Sequence, residues 1–134
     1  KLGFIQNSRA KELLMSFFIK GDSVLQLDEA GKRFAEKKMQ ALVRTGAIRA
    51  IEEYRAGDAD MVVVSASAEN WVKPWCDQHA LRCIATRLET RNGKLTGRFD
   101  GLNCFGEEKC SRISKEFDLN KYDRIIAYGD SRGD

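Results

Sequence analysis

Four consecutive apolar residues at positions 61–64, Met-Val-Val-Val, impose the strongest constraint on how this chain can fold. The three valines are β-branched and no polar residue interrupts the run, which predicts a strand buried on both faces. Strands of this kind lie in parallel sheets that helices cover, because a half-exposed antiparallel strand alternates apolar and polar residues. The run therefore predicts an α/β fold with a parallel sheet.

Predicted strands and helices alternate along the chain after residue 57. Strands are predicted at 81–85 and 124–128, and helices at 67–79 and 107–117. Pro74 is expected to end the first of these helices early or to kink it. Asn92-Gly93 lies between two segments of strand character and is the strongest short signal of a β-hairpin. Strands joined through helices favour a parallel sheet with right-handed crossovers.

The first 57 residues have the spacing of helices. Ser8 can begin a helix that Gly21 ends, Ser23 with Gln26 is a capping-box pattern for a second, and Thr45 can begin a third. The first helix carries four large apolar residues on one face: Leu13, Leu14, Phe17 and Phe18. We expect such faces to be core rather than cofactor contacts. The change of pattern predicts a helical module at 1–57 and an α/β core at 58–134.

The composition is that of a soluble globular domain, with 43% hydrophobic and 32% charged residues and a net charge of +3. A basic cluster falls in one predicted helix: Lys32, Arg33, Lys37 and Lys38. Interspersed acidic residues favour a solvated helix face there over a patch for nucleic acid or anionic lipid. The longest apolar run is too short for a membrane span.

The cysteines and the single histidine, His79, lie in none of the spacings typical of a zinc site. The four cysteines are Cys76, Cys83, Cys104 and Cys110. Reduced, partly buried thiols in a cytosolic protein are the expectation, and a disulfide pair is the alternative.

Ser65 directly follows the apolar run, at the carboxyl end of the predicted strand. Ligands of open parallel sheets bind beyond such strand ends. The Ser65 hydroxyl and the backbone amides of Ala66 and Ser67, at the predicted start of a helix, can together bind an anion. The alternative is an ordinary cap or turn.

Two carboxylates follow the last predicted strand. Asp130 comes after Gly129, and Asp134 lies four residues further on. Closely placed carboxylates in a loop suit Mg²⁺, which prefers few carboxylates, water and a substrate phosphate. Lys109, in the first turn of the preceding predicted helix, can place a positive charge against that phosphate. A surface loop and a solvated lysine are the alternatives.

In this order, the residues resemble motifs two, three and four of haloacid dehalogenase-type phosphatases. The matching segments are 62–65, Lys109 within 106–109, and 129–134. The hairpin at 88–97 is similar to that of the phosphoserine-phosphatase-like branch, subfamily IB. Ser65-Ala66-Ser67 with Trp71, Pro74 and Trp75 is similar to the bacterial group that includes phosphatidylglycerophosphatase-like enzymes.

The resemblance implies a Mg²⁺-dependent phosphomonoester hydrolase with a Rossmann-like core, a helical cap and a β-hairpin. It implies that Ser65 and Ala66 bind the phosphoryl group and that Lys109 neutralises it during catalysis. It also implies that Asp130 and Asp134 hold Mg²⁺ and that Asp134 supports catalysis. The implied partner is a phosphorylated small molecule or a lipid phosphate, not nucleic acid. The implied location is cytoplasmic, with membrane contact in some members through a segment before Lys1.

Motif one of the family, Asp-x-Asp-Gly-Thr at a strand end, has no counterpart in the sequence. Asp58-Ala59-Asp60 has the spacing of its carboxylates but precedes its strand, so a turn is the better interpretation. The chain is therefore expected to be an incomplete piece, inactive alone, whose aspartate nucleophile, motif-one strand and C-terminal strands lie outside it. The alternative is a non-catalytic phosphate-binding domain. A true dehalogenase is disfavoured because it would leave Asp130 without a purpose.

Overall fold

The computed structural model describes residues 7–57 and 59–129, in which helices precede a segment of mixed strands and helices. The helices are α1 (Asn7–Ile19), α2 (Val24–Phe34), a π-helical segment (Ala35–Met39), α3 (Gln40–Leu42), α4 (Thr45–Ala56), α5 (Glu69–Gln78), α6 (Glu107–Glu116) and a 3₁₀ turn (Leu119–Lys121). The strands are β1 (Val62–Ala68), β2 (Arg82–Thr86), β3 (Leu88–Arg91) and β4 (Lys94–Phe99). The predicted α/β class is confirmed.

Strands β1 and β2 pair in parallel and are covered by helices on both faces. Val63 packs into a core formed by α5, α4 and the π-helical segment, around the buried Trp75. Val62 and Val64 point the other way and pack with Ile84 and residues of α6 and its C-terminal extension. Successive side chains of a strand point to opposite faces, so an uninterrupted apolar run is what this position requires. The strand predicted from residues 61–64 is confirmed.

Strands β3 and β4 form the predicted antiparallel hairpin. Its turn residues, Asn92 and Gly93, have φ of +51° and +72°, as a type I′ turn demands. Helix α1 lies against β4, where the Ser16 hydroxyl donates a 3.2 Å hydrogen bond to the Gly97 carbonyl. Gly97 has φ +81°, and a β-carbon there would lie 2.5 Å from the Ser16 Cα. Glycine is therefore needed for both backbone conformation and close approach.

The expectation that the apolar face of α1 is core is wrong. Leu14, Phe17 and Phe18 are 58%, 83% and 68% exposed. The reason is that α1 contacts the hairpin through its other face, where Glu12 accepts a 3.1 Å hydrogen bond from the Phe99 amide. In the later helical segments, three apolar residues pack against the core around Trp75: Met39, Ile48 and Ile51.

Helix starts are close to their predicted positions, but no side chain caps α2, α4 or α5. Ser23 is the residue before α2, yet its side chain makes no capping hydrogen bond. Its segment is instead held by the hairpin, because Ser23 forms a β-bridge with Lys94 and the Val24 amide donates to the Gly93 carbonyl at 3.0 Å. Pro74 lies inside α5 and does not end it.

The strand predicted at 124–128 does not form. Ile125 and Tyr128 are 61% and 72% exposed, and the parallel sheet of residues 7–57 and 59–129 contains β1 and β2 alone. A strand needs a neighbour for its backbone hydrogen bonds, and no strand within those residues lies beside this segment. Its contact is instead with α4, through hydroxyls of Tyr54 and Tyr128 that lie 2.9 Å apart.

Among the residues described, no helix combines the length and apolar character needed to cross a bilayer. The division into modules at 1–57 and 58–134 stays a prediction.

Candidate functional site

The carboxyl end of β1 carries a bulged loop. The register with β2 breaks after Ser65 pairs with Ala85 and resumes where Ala68 pairs with Thr86. Residues 66 and 67 therefore leave the ladder, and the Ser67 amide donates a 3.1 Å hydrogen bond to the Ser65 hydroxyl oxygen. We call this segment the 65–67 loop. It lies at the edge of a parallel sheet where ligands commonly bind.

The structure corrects one detail of the predicted anion site. Helix α5 begins at Glu69, its preceding residue is Ala68, and no side chain caps it. Ser67 is therefore not the helix cap, and the amides of residues 66 and 67 belong to the strand bulge. The sequence placed the helix start too early because the bulge lets β1 continue past Ser65.

A fully buried threonine holds the underside of the 65–67 loop. Thr86 Oγ1 lies 2.8 Å from the Ala66 carbonyl oxygen and 3.0 Å from Asn103 Oδ1. The same oxygen accepts a 3.0 Å hydrogen bond from the Cys104 amide. A buried hydroxyl must be hydrogen-bonded to avoid a desolvation cost, and these partners meet that need. Thr86 thus ties the loop to the segment before α6.

Lys11, on helix α1, contacts two of the oxygen atoms that Thr86 also contacts. Its Nζ donates to the Ala66 carbonyl and, at 3.2 Å, to Asn103 Oδ1. The ammonium also lies 5.5 Å from the centre of the Phe99 ring. Burial lowers the pKa of Lys11, because it disfavours the charged form. A cation from the helical segment is thus in contact with the end of the sheet.

Positive charge gathers around Cys104. Burial raises the pKa of the Cys104 thiol, and the charges of Arg112, Lys109 and Lys11 oppose that rise. Arg112 donates hydrogen bonds of 2.8 Å and 2.7 Å to the carbonyls of Ala85 and Leu102, which anchors α6 to the end of β2. The Glu108 carboxylate, which pairs with Arg112 at 2.8 Å, adds to the rise, so three cations and one carboxylate act on this thiol.

Three of the predicted site residues lie in the described part of the chain: Ser65, Ala66 and Lys109. Ser65 and Ala66 lie together in the 65–67 loop, and Lys109 lies in the first turn of α6, with its charge acting at Cys104. The Cys104 amide donates a hydrogen bond to the Thr86 hydroxyl oxygen, and the same hydroxyl lies within hydrogen-bond distance of the Ala66 carbonyl. These residues therefore share one edge of the sheet.

The predicted magnesium ligands, Asp130 and Asp134, lie outside the described residues. Within 7–57 and 59–129, no group of three His, Cys, Asp or Glu side chains is placed to hold a metal ion. Glu108, an acidic residue at this edge, is bound to Arg112 at 2.8 Å. The described residues therefore do not make a magnesium site by themselves, and the metal stays a prediction.

Four residues of this edge were not singled out from the sequence: Lys11, Thr86, Asn103 and Arg112. No motif or periodicity marks them. The one signal for any of them was that Thr86 directly follows the predicted strand at 81–85. Chemically, the edge offers the Ser65 hydroxyl hydrogen and cationic side chains, which suits an anion with several acceptor oxygens.

Known proteins are similar to this chain in sequence or in fold. The chain is 35% identical over 119 residues to Protein CicA of Caulobacter vibrioides, in strains NA1000 / CB15N and ATCC 19089 / CIP 103742 / CB 15. The match covers 87% of this chain and 53% of CicA, so the chain spans about half the length of these relatives.

A solved structure has the same fold. The crystal structure of a protein with unknown function from Bordetella pertussis Tohama I matches with a TM-score of 0.72 at 21% identity, over 85% of this chain and 51% of that chain. The profile of haloacid dehalogenase-like hydrolases matches residues 1–134. The chain therefore belongs to the haloacid dehalogenase-like hydrolase family.

Proposed function

We propose that the protein is a Mg²⁺-dependent phosphomonoester hydrolase that works through an aspartyl-phosphate, with its nucleophile outside this chain. The observation that carries the proposal is the shared sheet edge, where Thr86 joins the 65–67 loop to Cys104 through hydrogen bonds. The charge of Lys109, in the first turn of α6, acts on Cys104. Family membership supports hydrolase chemistry. We further assign the protein to subfamily IB, on the hairpin between Leu88 and Gly97.

The 65–67 loop would bind the phosphoryl group. The Ser65 oxygen already accepts from the Ser67 amide, so its own hydrogen can be donated to a phosphoryl oxygen. Lys109 would offset the negative charge that the phosphoryl group and the attacking carboxylate bring together. Both roles are electrostatic and need groups that are held in place. The contacts of Thr86 and Lys11 with the Ala66 carbonyl hold the 65–67 loop in place.

Asp130 and Asp134 would hold the metal. Bound Mg²⁺ would offset the repulsion between carboxylate and phosphate and orient both. The substrate would be a phosphorylated small molecule or a lipid phosphate.

Turnover of p-nitrophenyl phosphate by the full-length gene product, with Mg²⁺ and with EDTA, tests the proposal. We expect turnover with Mg²⁺ and its loss in EDTA. Metal-independent or absent turnover would end the phosphatase proposal.

A non-catalytic phosphate-binding domain is the second candidate. The observation that favours it is that the described edge offers donors and cations for an anion, while the nucleophile is not among its residues. Binding of inorganic phosphate without turnover, in the same preparation, would support this candidate.

A further inference from the structure

We propose that Lys11 is a positioning residue, which holds the Ala66 carbonyl from helix α1 and thereby sets the direction of the Ser67 amide. The inference rests on the proposed function, because it concerns the loop that would bind phosphate. It adds a residue of the helical segment to that site.

The Ala66 carbonyl and the Ser67 N–H belong to one planar peptide group. In a trans peptide these two bonds point in opposite directions, so fixing one fixes the other. The carbonyl is held by Lys11 and Thr86, and the N–H points to the Ser65 hydroxyl oxygen at 3.1 Å. A donor on one side of the peptide therefore determines the geometry of the loop on the other side.

Thr86 alone cannot donate a hydrogen bond to both of the acceptors beside it. The Ala66 carbonyl and Asn103 Oδ1 both lie within hydrogen-bond distance of Thr86 Oγ1, at 2.8 Å and 3.0 Å. A threonine hydroxyl has one hydrogen and can donate to only one of them, whereas a lysine ammonium has three hydrogens. Lys11 contacts both acceptors and so supplies the donor that Thr86 lacks. Without Lys11, either the Ala66 carbonyl or Asn103 Oδ1 would lack this hydrogen-bond donor at a partly buried position.

Helix α1 is fixed firmly enough for Lys11 to act in this way. Glu12 accepts from the Phe99 amide at 3.1 Å, and Ser16 donates to the Gly97 carbonyl at 3.2 Å. These bonds hold α1 on strand β4 on the side from which Lys11 extends. The Phe99 ring, 5.5 Å from Nζ, offsets part of the cost of burying the charge. The position of α1 is therefore coupled to the shape of the 65–67 loop.

The test compares Lys11→Met with Lys11→Arg in the full-length gene product. Lys20→Met is the matched control, because Lys20 is an exposed lysine just after the same helix. Two quantities are measured: hydrogen exchange of the Ser67 amide by NMR, and the Kd for inorganic phosphate by calorimetry.

We expect Lys11→Met to speed exchange of the Ser67 amide and to weaken phosphate binding about tenfold, the loss of one charge-assisted hydrogen bond. Lys11→Arg should retain most of both properties, because arginine also donates several hydrogen bonds, and Lys20→Met should change neither. A purely structural role would lower stability without moving the Ser67 amide selectively. Circular dichroism checks folding, and Lys11→Gln, which keeps a neutral donor, replaces Lys11→Met if that variant fails to fold.

An unchanged Ser67 amide and an unchanged phosphate Kd in the folded Lys11 variant would overturn the inference. Failure of the wild-type protein to bind phosphate would instead count against the proposed function. In that case the exchange comparison still decides whether Lys11 positions the loop.

Discussion

A β-carbon on Gly31 would lie 2.0 Å from the carbonyl oxygen of Asn70, so helices α2 and α5 meet at backbone distance. The same pair of helices is joined by a 2.6 Å hydrogen bond from the Asn70 amide group to Asp28. Pro74 has no N–H, so the Asn70 carbonyl lacks the donor that a helix normally supplies from four residues later. Gly31, a mild weakness by helix propensity, is therefore a packing requirement.

Replacing Gly31 with alanine should destabilise the protein by about 1–3 kcal/mol, because the methyl group meets backbone that cannot move away cheaply. Gly46→Ala is the matched control, since a β-carbon added to that helical glycine would meet no atom within 4 Å. It should stabilise by roughly 0.5–1 kcal/mol through helix propensity. Urea unfolding of both variants measures the difference, and equal effects would contradict the packing argument.

Gly97→Ala should be more harmful than Gly93→Ala. Both glycines have positive φ, at +81° and +72°, so an alanine is strained at either position. Only at Gly97 would the new β-carbon also meet Ser16, at 2.5 Å from its Cα. We therefore expect a larger loss of stability for Gly97→Ala, with faster amide exchange in α1. Thermal unfolding and hydrogen exchange test this, and equal losses would refute the close contact.

Thr86→Val should lower the free energy of unfolding by about 1–3 kcal/mol, because it removes a buried hydroxyl that serves three partners. The side chain keeps nearly the same shape, so the cost comes from lost hydrogen bonds. Thr90→Val, at an exposed position of β3, should change stability by less than about 0.5 kcal/mol. Urea unfolding compares the two. Similar values would mean that Thr86 does not support the loop.

The cysteines should differ in reactivity with iodoacetamide. Cys110 is exposed and should be alkylated first, whereas Cys76 and Cys104 are buried. A hydrogen bond with Cys76 and then burial raise the pKa of Cys83, and burial raises that of Cys104, so both hold little reactive thiolate at neutral pH. Site-resolved mass spectrometry follows labelling with and without urea. Fast labelling of Cys104 in the native protein would contradict this placement.

Local signals predicted the elements whose physics is local. The β-branched run predicted β1, Asn92-Gly93 predicted the hairpin turn, and the helix expected at 107–117 is α6. The segment at 124–128 has equally good strand character, but it forms no strand because pairing depends on a neighbour. Propensity and spacing describe one segment at a time, so they do not reveal which segments meet.

In the candidate site, too, some residues carry a local sequence signal and others are recognised only from long-range contacts. Ser65 could be chosen because it directly follows the apolar run at 61–64, which is visible in the chain order. Lys11 could not, because it lies 55 residues before its partner Ala66 and 92 before Asn103. Its role depends on how α1 is positioned on β4. The close contact between Ser16 and Gly97 determines that position. Such long-range contacts follow from packing and carry no local signature.

Ser65→Ala and Lys109→Met should each lower kcat of the full-length protein for p-nitrophenyl phosphate by about 10²–10³, as expected for loss of one electrostatic partner of the reacting group. Lys115→Met and Ser114→Ala are controls, because both side chains are exposed on the same helix as Lys109. The controls should retain kcat and KM. Because Ser65 and Lys109 would act on the same phosphoryl group, the double variant should lose less than the product of the two single losses. Steady-state kinetics of the four single variants and the double variant decide this, and full activity of Ser65→Ala would remove the 65–67 loop from the mechanism.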